Sequence, residues 1–400
     1  MSSWPQFTEE ESRAVSEVLM SGKVNYWTGV QAREFEKEFS EWSGAAYSIA
    51  VMNGTVALDL ALKALNVGPG DEVIVTPRSF IASVSCVVNA GATPIFVDVD
   101  HDTGNLTAEK IKPLLSKRTK AFICVHLGGW PCDMDPIIEL AEDCGAHVIE
   151  DCAQAHGAVY KGRSVGSLGD IGCWSFCQDK IMSTGGEGGM VTCNDKSLWE
   201  VMWSYKDHGK SFSAMNRVSP LNRYKWVHET FGTNYRMTEM QAVIGRIQLK
   251  RMTDWTGARN LNAARIQNAL LPFSGVNGAV RLPQFKCIGC STSSSCCKHA
   301  NYRCYAYIRH ENLSGGWTRD LIIDEINSLG VPCFVGSCSE VYLEKCFVDR
   351  SLKPAKRLRV AKELGDTSLA FLVDPSLSER AMSETADVIT DVFERVTLSL

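Results

Sequence analysis

The chain has 400 residues, 45% hydrophobic and 22% charged, with a formal net charge of -5. These proportions exclude a disordered tail, a collagen-like chain and a simple solenoid, and the length favours two domains or one large α/β domain. A weakly acidic chain has no broad basic field for nucleic acid, so none is expected as a partner.

The opening Met1-Ser2-Ser3-Trp4-Pro5-Gln6-Phe7-Thr8-Glu9-Glu10-Glu11 is acidic where a secretory leader is cationic and then apolar, which predicts a cytoplasmic protein. An amphipathic helix is expected over Gln31–Trp42. Met52-Asn53-Gly54-Thr55 then stands between a strand-like apolar run and a helix over Val56–Leu65. Such a helix start offers free N–H groups and a favourable dipole to a phosphate, although a polar residue there is more often only a helix cap.

From there short β-rich runs alternate with helical ones. Strands are expected at Glu72–Val75, Pro94–Val97, Ala121–Val125 and His147–Glu150, with helices at Phe80–Ala90 and Pro136–Cys144. The uncharged stretch Ser79–Val97 has the length of a membrane span, but Asn89, Gly91, Thr93 and Pro94 divide it, so no membrane association is expected. In open α/β sheets the ligand crevice lies beyond the carboxyl ends of the strands, which aims Asp151 at a site. An acidic pair at a strand end is also often merely solvated.

Strands near Cys173–Phe176 and Met190–Thr192 flank Gln178-Asp179-Lys180 and the glycines 185, 186, 188 and 189. A lysine between an apolar strand and a glycine-rich turn can be held in a dry pocket for nucleophilic use, the alternative being a surface lysine. A long helix is expected over Thr238–Thr253, then a smaller α+β unit with a strand at Tyr302–Arg309, a helix at Arg319–Leu329 and a last helix at Ser383–Leu398. The expected division is a large domain over 1–250 and a small one over 251–400.

Sixteen cysteines scattered through core-like segments read as reduced thiols. The group Cys287, Cys290, Cys296, Cys297, His299 and Cys304 begins with zinc-knuckle spacing but continues with an adjacent pair that chelates poorly. A cysteine-rich loop without metal is the expectation.

Taken together, Asn53-Gly54-Thr55, Gly70-Asp71-Glu72-Val73-Ile74-Val75, Val125-His126-Leu127-Gly128-Gly129, Glu150-Asp151-Cys152-Ala153-Gln154-Ala155-His156-Gly157-Ala158, Gly166-Ser167-Leu168-Gly169-Asp170, and Ser175-Phe176 with Lys180 and Gly186-Glu187-Gly188-Gly189 resemble the DegT-type (DegT/StrS) nucleotide-sugar aminotransferases. The resemblance spans about residues 20 to 250. It implies the aspartate-aminotransferase-like α/β fold (fold type I), with a large, mainly parallel seven-stranded sheet, a smaller C-terminal α+β domain and pyridoxal 5'-phosphate as cofactor.

By the same resemblance Lys180 is the Schiff-base lysine, Asp151 the partner of the pyridine nitrogen, and Gln154 the group near the phenolic oxygen. Gly54, Thr55 and Ser175 are phosphate binders and Phe80 stacks on the ring. The segment Phe231–Met237 resembles a loop entering a neighbouring subunit's site, with Asn234 at the phosphate and Arg236 at the substrate. A homodimer with shared active sites follows. The implied reaction moves an amino group, by a ping-pong route, from an amino acid such as L-glutamate to a nucleotide-linked keto-sugar such as a 4-keto-6-deoxy hexose, for amino-sugar and polysaccharide biosynthesis.

Two departures stand out. The cysteine-rich stretch replaces a segment that often carries histidine, and Thr184-Gly185-Gly186-Glu187 has one glycine more than usual. A cysteine desulfurase and a non-catalytic regulatory protein are the alternatives. A dinucleotide reductase lacks its Gly-x-Gly-x-x-Gly here.

Overall fold

The computed structural model describes residues 4–216, 226–285 and 296–397. Seven strands form the larger sheet: β1 (Tyr47–Val51), β2 (Glu72–Val75), β3 (Thr93–Phe96), β4 (Thr119–Val125), β5 (His147–Asp151), β6 (Ile171–Ser175) and β7 (Gly189–Cys193). Their spatial order is β1-β7-β6-β5-β4-β2-β3. β7 runs antiparallel to both neighbours, and the remaining pairs are parallel. The parallel strands are buried on both faces, which explains why they read as unbroken apolar runs instead of alternating ones.

Helices cover both faces. α1 (Glu9–Met20) and α2 (Gln31–Ser43) precede β1, and α3 (Gly54–Ala64) and α4 (Ala82–Asn89) follow β1 and β2. On one face Leu58, Leu62, Val84 and Val87 pack over Val73, Val75 and Ile123. On the other, Phe35 and Phe39 of α2 pack against Trp174 and Phe176.

The helix expected over Thr238–Thr253 is two: α5 (Glu239–Leu249) and α6 (Met252–Leu270). At the turn between them Arg251 pairs with Glu10 and Glu11 of α1, both at 2.7 Å. Glu239, at the start of α5, accepts the backbone N–H groups of Gln31 and Ala32, so one carboxylate caps α2 and locks it to α5.

The smaller sheet is wholly antiparallel: β8 (Val280–Arg281), β9 (Cys304–Ile308), β10 (Cys333–Phe334) and β11 (Ser368–Phe371), in the order β8-β9-β11-β10. Its core joins Ile266 and Leu270 of α6 to α7 (Arg319–Ser328) and α8 (Glu379–Val396) through Ile322, Ile326, Ile389 and Phe393.

Among the described cysteines thirteen are free, whereas Cys296 is disulfide-bonded, a departure from the uniformly reduced set expected. Cys287 and Cys290 lie outside the described residues. No helix among the described residues is long and apolar enough to cross a membrane.

Candidate active site

The carboxyl ends of β4, β5 and β6 meet the start of α3 around a cavity of about 400 Å³. Gly54, Thr55, Phe80, Asp151, Gln154, Ser175 and Lys180 all line it, so seven of the nine residues singled out in the sequence converge on one place.

The end of the cavity at α3 is built from backbone. Asn53 caps α3, its Oδ1 accepting the Val56 N–H at 3.0 Å, while the first helical N–H groups have no partner within the helix. A Cβ at Gly54 would lie 2.6 Å from the Ser175 Cβ. Only glycine lets the helix start reach the end of β6. Gly54→Ala is therefore expected to destabilise the fold by about 1–3 kcal/mol and to weaken cofactor retention, as read from melting temperature and cofactor content after dialysis.

At the floor, Asp151 Oδ2 accepts the Ser83 hydroxyl at 2.7 Å and Oδ1 accepts the Ala153 N–H at 3.1 Å. Ser83 is itself 2.7 Å from Ser79. Gln154 Oε1 accepts the Gly128 N–H at 2.7 Å, which leaves its Nε2 toward Ser337 at 3.5 Å. Glu150, fully buried beside Asp151, accepts His126 Nε2 at 3.0 Å and the N–H groups of Gly166, Leu168 and Gly169. Burial alone would raise its carboxyl, but these donors hold it below the usual range. His126, Glu150 and Cys152 cluster closely enough to suggest metal ligands, yet the Glu150 oxygens are already taken by four N–H donors.

Lys180 Nζ lies 3.4 Å from Asp179 Oδ2 and 5.2 Å from the Tyr302 ring centroid. Tyr302 donates its hydroxyl to the same Asp179 oxygen. Burial would raise Asp179, but the Lys180 charge and the Tyr302 hydroxyl hold it low. Behind the lysine, Trp4 Nε1 donates to the Lys180 carbonyl at 2.8 Å. The extra glycine of the following turn is accommodated by left-handed backbone at Gly185 and Gly186, with φ of 85° and 114°.

Asn234 and Arg236 do not line the cavity of their own chain. Their segment pairs with β1 and with Asp207, whose carboxylate binds both Arg236 and Lys210. Ser79, Ser83, Gly128, Asp179 and Tyr302 are site residues that sequence reasoning missed. Ser83 carried a weak signal, three residues past Phe80 at a helix start.

His156 is fully buried between Trp174 and Phe176, and neither ring nitrogen has a hydrogen-bond partner among the described residues. Burial, with Lys180 and Arg259 adding repulsion, lowers its pKa to about 3, and burial lowers His299 to about 3 as well. Each histidine takes up its proton near pH 6.5 only when unfolded. The stability they support is complete above about pH 6.5 and falls, as pH drops toward 3, by about 1.4 kcal/mol per unit per histidine. Denaturant midpoints measured between about pH 7 and pH 5 are expected to drop, with a shallower slope in His156→Leu.

The donor set fits pyridoxal phosphate: a helix start for a phosphate, a carboxylate for a ring nitrogen, an amine and an exposed aromatic ring share one cavity. Fold and site define a transaminase of fold type I. The solved aminotransferase from Psychrobacter cryohalolentis is 58% identical and superposes with a TM-score of 0.95 over 99% of both chains. The profile of the DegT/DnrJ/EryC1/StrS aminotransferase family matches residues 5–390, and the chain belongs to that family.

The GDP-perosamine synthase of Escherichia coli O157:H7 is 44% identical over 255 residues, 63% of this chain and 66% of that protein. The aligned stretch thus spans slightly less than two thirds of that relative. The GDP-perosamine synthase of Caulobacter vibrioides is 41% identical over 298 residues, 74% of each chain.

Proposed function

We propose that this chain is a pyridoxal-phosphate-dependent aminotransferase that transfers an amino group from L-glutamate to a nucleotide-linked 4-keto-6-deoxy hexose by a ping-pong route. The reading includes a cytoplasmic homodimer with active sites at the subunit interface. It assigns cofactor binding to a large domain over 1–250 and a supporting role to a small domain over 251–400. The observation that carries it is the convergence of Lys180, Asp151 and the start of α3 on one cavity. The perosamine synthases among the relatives support the sugar-nucleotide acceptor.

The bound cofactor supplies an electron sink for bond changes at the amino-bearing carbon. The chain does the rest. The start of α3 and Ser175 hold the phosphate through N–H and hydroxyl groups. Asp151, oriented by Ser83 and the Ala153 N–H, keeps a proton on the pyridine nitrogen, and a charged hydrogen bond of this kind contributes about 1.5–3 kcal/mol. Gln154, its carbonyl committed to Gly128, would have an amide N–H to offer the ring oxygen. Phe80, on the cavity wall, would cover a face of the ring. Lys180 anchors the cofactor and then removes and returns the proton at the substrate carbon.

Asn234 and Arg236 act across the dimer interface in this reading, consistent with their place outside their own chain's cavity. Incubation with L-glutamate and a panel of nucleotide-linked 4-keto-6-deoxy sugars is expected to yield 2-oxoglutarate and an amino sugar. Absence of product with every sugar removes the assignment.

A further inference from the structure

The proposed mechanism leaves one buried polar pair without a role. Glu150 and His126 are both fully buried, and Glu150 Oε2 lies 3.0 Å from His126 Nε2. Successive residues of a strand point to opposite faces, so Glu150 stands back to back with Asp151 at the end of β5.

The geometry fixes where the protons sit. The Cys132 backbone N–H points at His126 Nδ1 at 3.0 Å, and a backbone N–H can only donate. Nδ1 therefore carries no proton, and the single ring proton is on Nε2, directed at Glu150. The other groups on the Glu150 carboxylate are the N–H donors of Gly166, Leu168 and Gly169, so it is ionised. The imidazole is a neutral crosspiece between residue 132 and β5, with no lone pair left over for a metal.

That crosspiece closes a tight turn. The His126 N–H donates to the Asp151 carbonyl at 3.2 Å, and the Gly129 N–H donates back to the His126 carbonyl at 3.1 Å. A Cβ at Gly129, where φ is 98°, would lie 2.9 Å from the Gln154 carbonyl oxygen. Asn105 clamps the same turn: its Oδ1 accepts the Leu127 N–H at 3.1 Å and its Nδ2 donates to the Trp130 carbonyl at 2.9 Å. All this bracing aims one group, the Gly128 N–H, at Gln154 Oε1, 2.7 Å away. Because that N–H only donates, it dictates the sense of the Gln154 amide, with oxygen toward the turn and NH2 away from it.

On the amino-transfer reading above, we infer that His126 and Glu150 are positioning residues for the cofactor, acting through the Gly128 N–H to hold Gln154 with its NH2 free for the ring's phenolic oxygen. Once the turn is released the amide can flip, which sets its carbonyl against that oxygen, acceptor facing acceptor. A buried charge is costly, and the donors that offset the cost here are the ring that closes this turn and the loop at 166–169.

Two measurements on the full-length chain, freed of cofactor, test this. Nitrogen NMR of the imidazoles at pH 7, with His126 assigned through the Cys132 amide, is expected to show a neutral ring protonated on Nε2. A proton on Nδ1, or on both nitrogens, overturns the proposal. Titration with pyridoxal phosphate, followed by absorbance, then gives a double-substitution cycle. His126→Gln is expected to weaken binding about threefold to tenfold in the wild-type background and by less than about twofold in a Gln154→Ala background, because its effect passes through Gln154. Asn105→Ala loosens the same turn without touching the buried carboxylate and is expected to repeat that pattern, so the test stands even where His126→Gln does not fold. Equal losses in both backgrounds, or no loss in either, overturn the proposal. Failure of the amino-transfer reading is distinct, because the wild-type chain itself would then bind no pyridoxal phosphate.

Discussion

Lys180→Ala is expected to lower turnover by at least about a thousandfold, because in the proposed mechanism one substitution removes both the group that anchors the cofactor and the group that moves the substrate proton. The fold should be indifferent to it. Among the described residues the lysine tip touches only Asp179 and the Tyr302 ring, so no buried partner is left uncompensated there. The phosphate contacts at α3 and Ser175 remain, and the variant should still bind the cofactor reversibly. Three measurements separate these effects: single-turnover rates with L-glutamate, cofactor content after gel filtration, and the mass of the Lys180 peptide after borohydride treatment. A wild-type chain that gives no borohydride-stable adduct at Lys180, or a variant with unchanged turnover, rules out the assigned role.

Asp151→Asn is expected to slow proton abstraction by about 10- to 150-fold, the factor that corresponds to a charged hydrogen bond of about 1.5–3 kcal/mol. The geometry predicts where the effect falls. The amide can keep the Ala153 N–H on its oxygen while its NH2 takes the place of Oδ2, and the Ser79–Ser83 hydroxyl pair can reverse its direction to accept it. Local packing is therefore preserved, and what disappears is the negative charge that the proposed mechanism uses to keep the ring nitrogen protonated. Stopped-flow absorbance during the half-reaction with L-glutamate reads this step directly. An unchanged rate would show that the ring is activated by some other group.

Much of the large sheet was legible because its strands are buried on both faces, so β2, β4 and β5 stand out as apolar runs between turns. Asp151 was legible for a related reason, since a charged residue that ends an apolar strand in a parallel sheet is placed by topology at its carboxyl edge, while Lys180 stood out between the apolar run that ends at Ser175 and a glycine-rich turn. The elements that escaped are those in which periodicity is spoiled. α6 buries Arg259 and Asn262 on its packed face, which breaks the apolar stripe. β11 has four residues, Ser368-Leu369-Ala370-Phe371, too few to establish a period. The break between α5 and α6 was hidden because apolar spacing continues across it, while the turn is fixed by Arg251 pairing with acids some 240 positions earlier.

Within the site, the same distinction holds. Residues whose chemistry is local, such as Gly54 at a helix start, could be read from their neighbours. Tyr302 and Ser83 act on Lys180 and Asp151 from distant segments, and only the packing of the two sheets reveals them.

The hydrogen bond from Trp4 to the carbonyl of Lys180 ties the amino-terminal segment to the loop that carries the lysine. Because Trp4 also packs edge-on against Trp255 of α6, the position of that loop is set jointly by segments about 75 residues downstream and about 175 residues upstream of it, and a change at either of these aromatic residues reaches the lysine through its backbone.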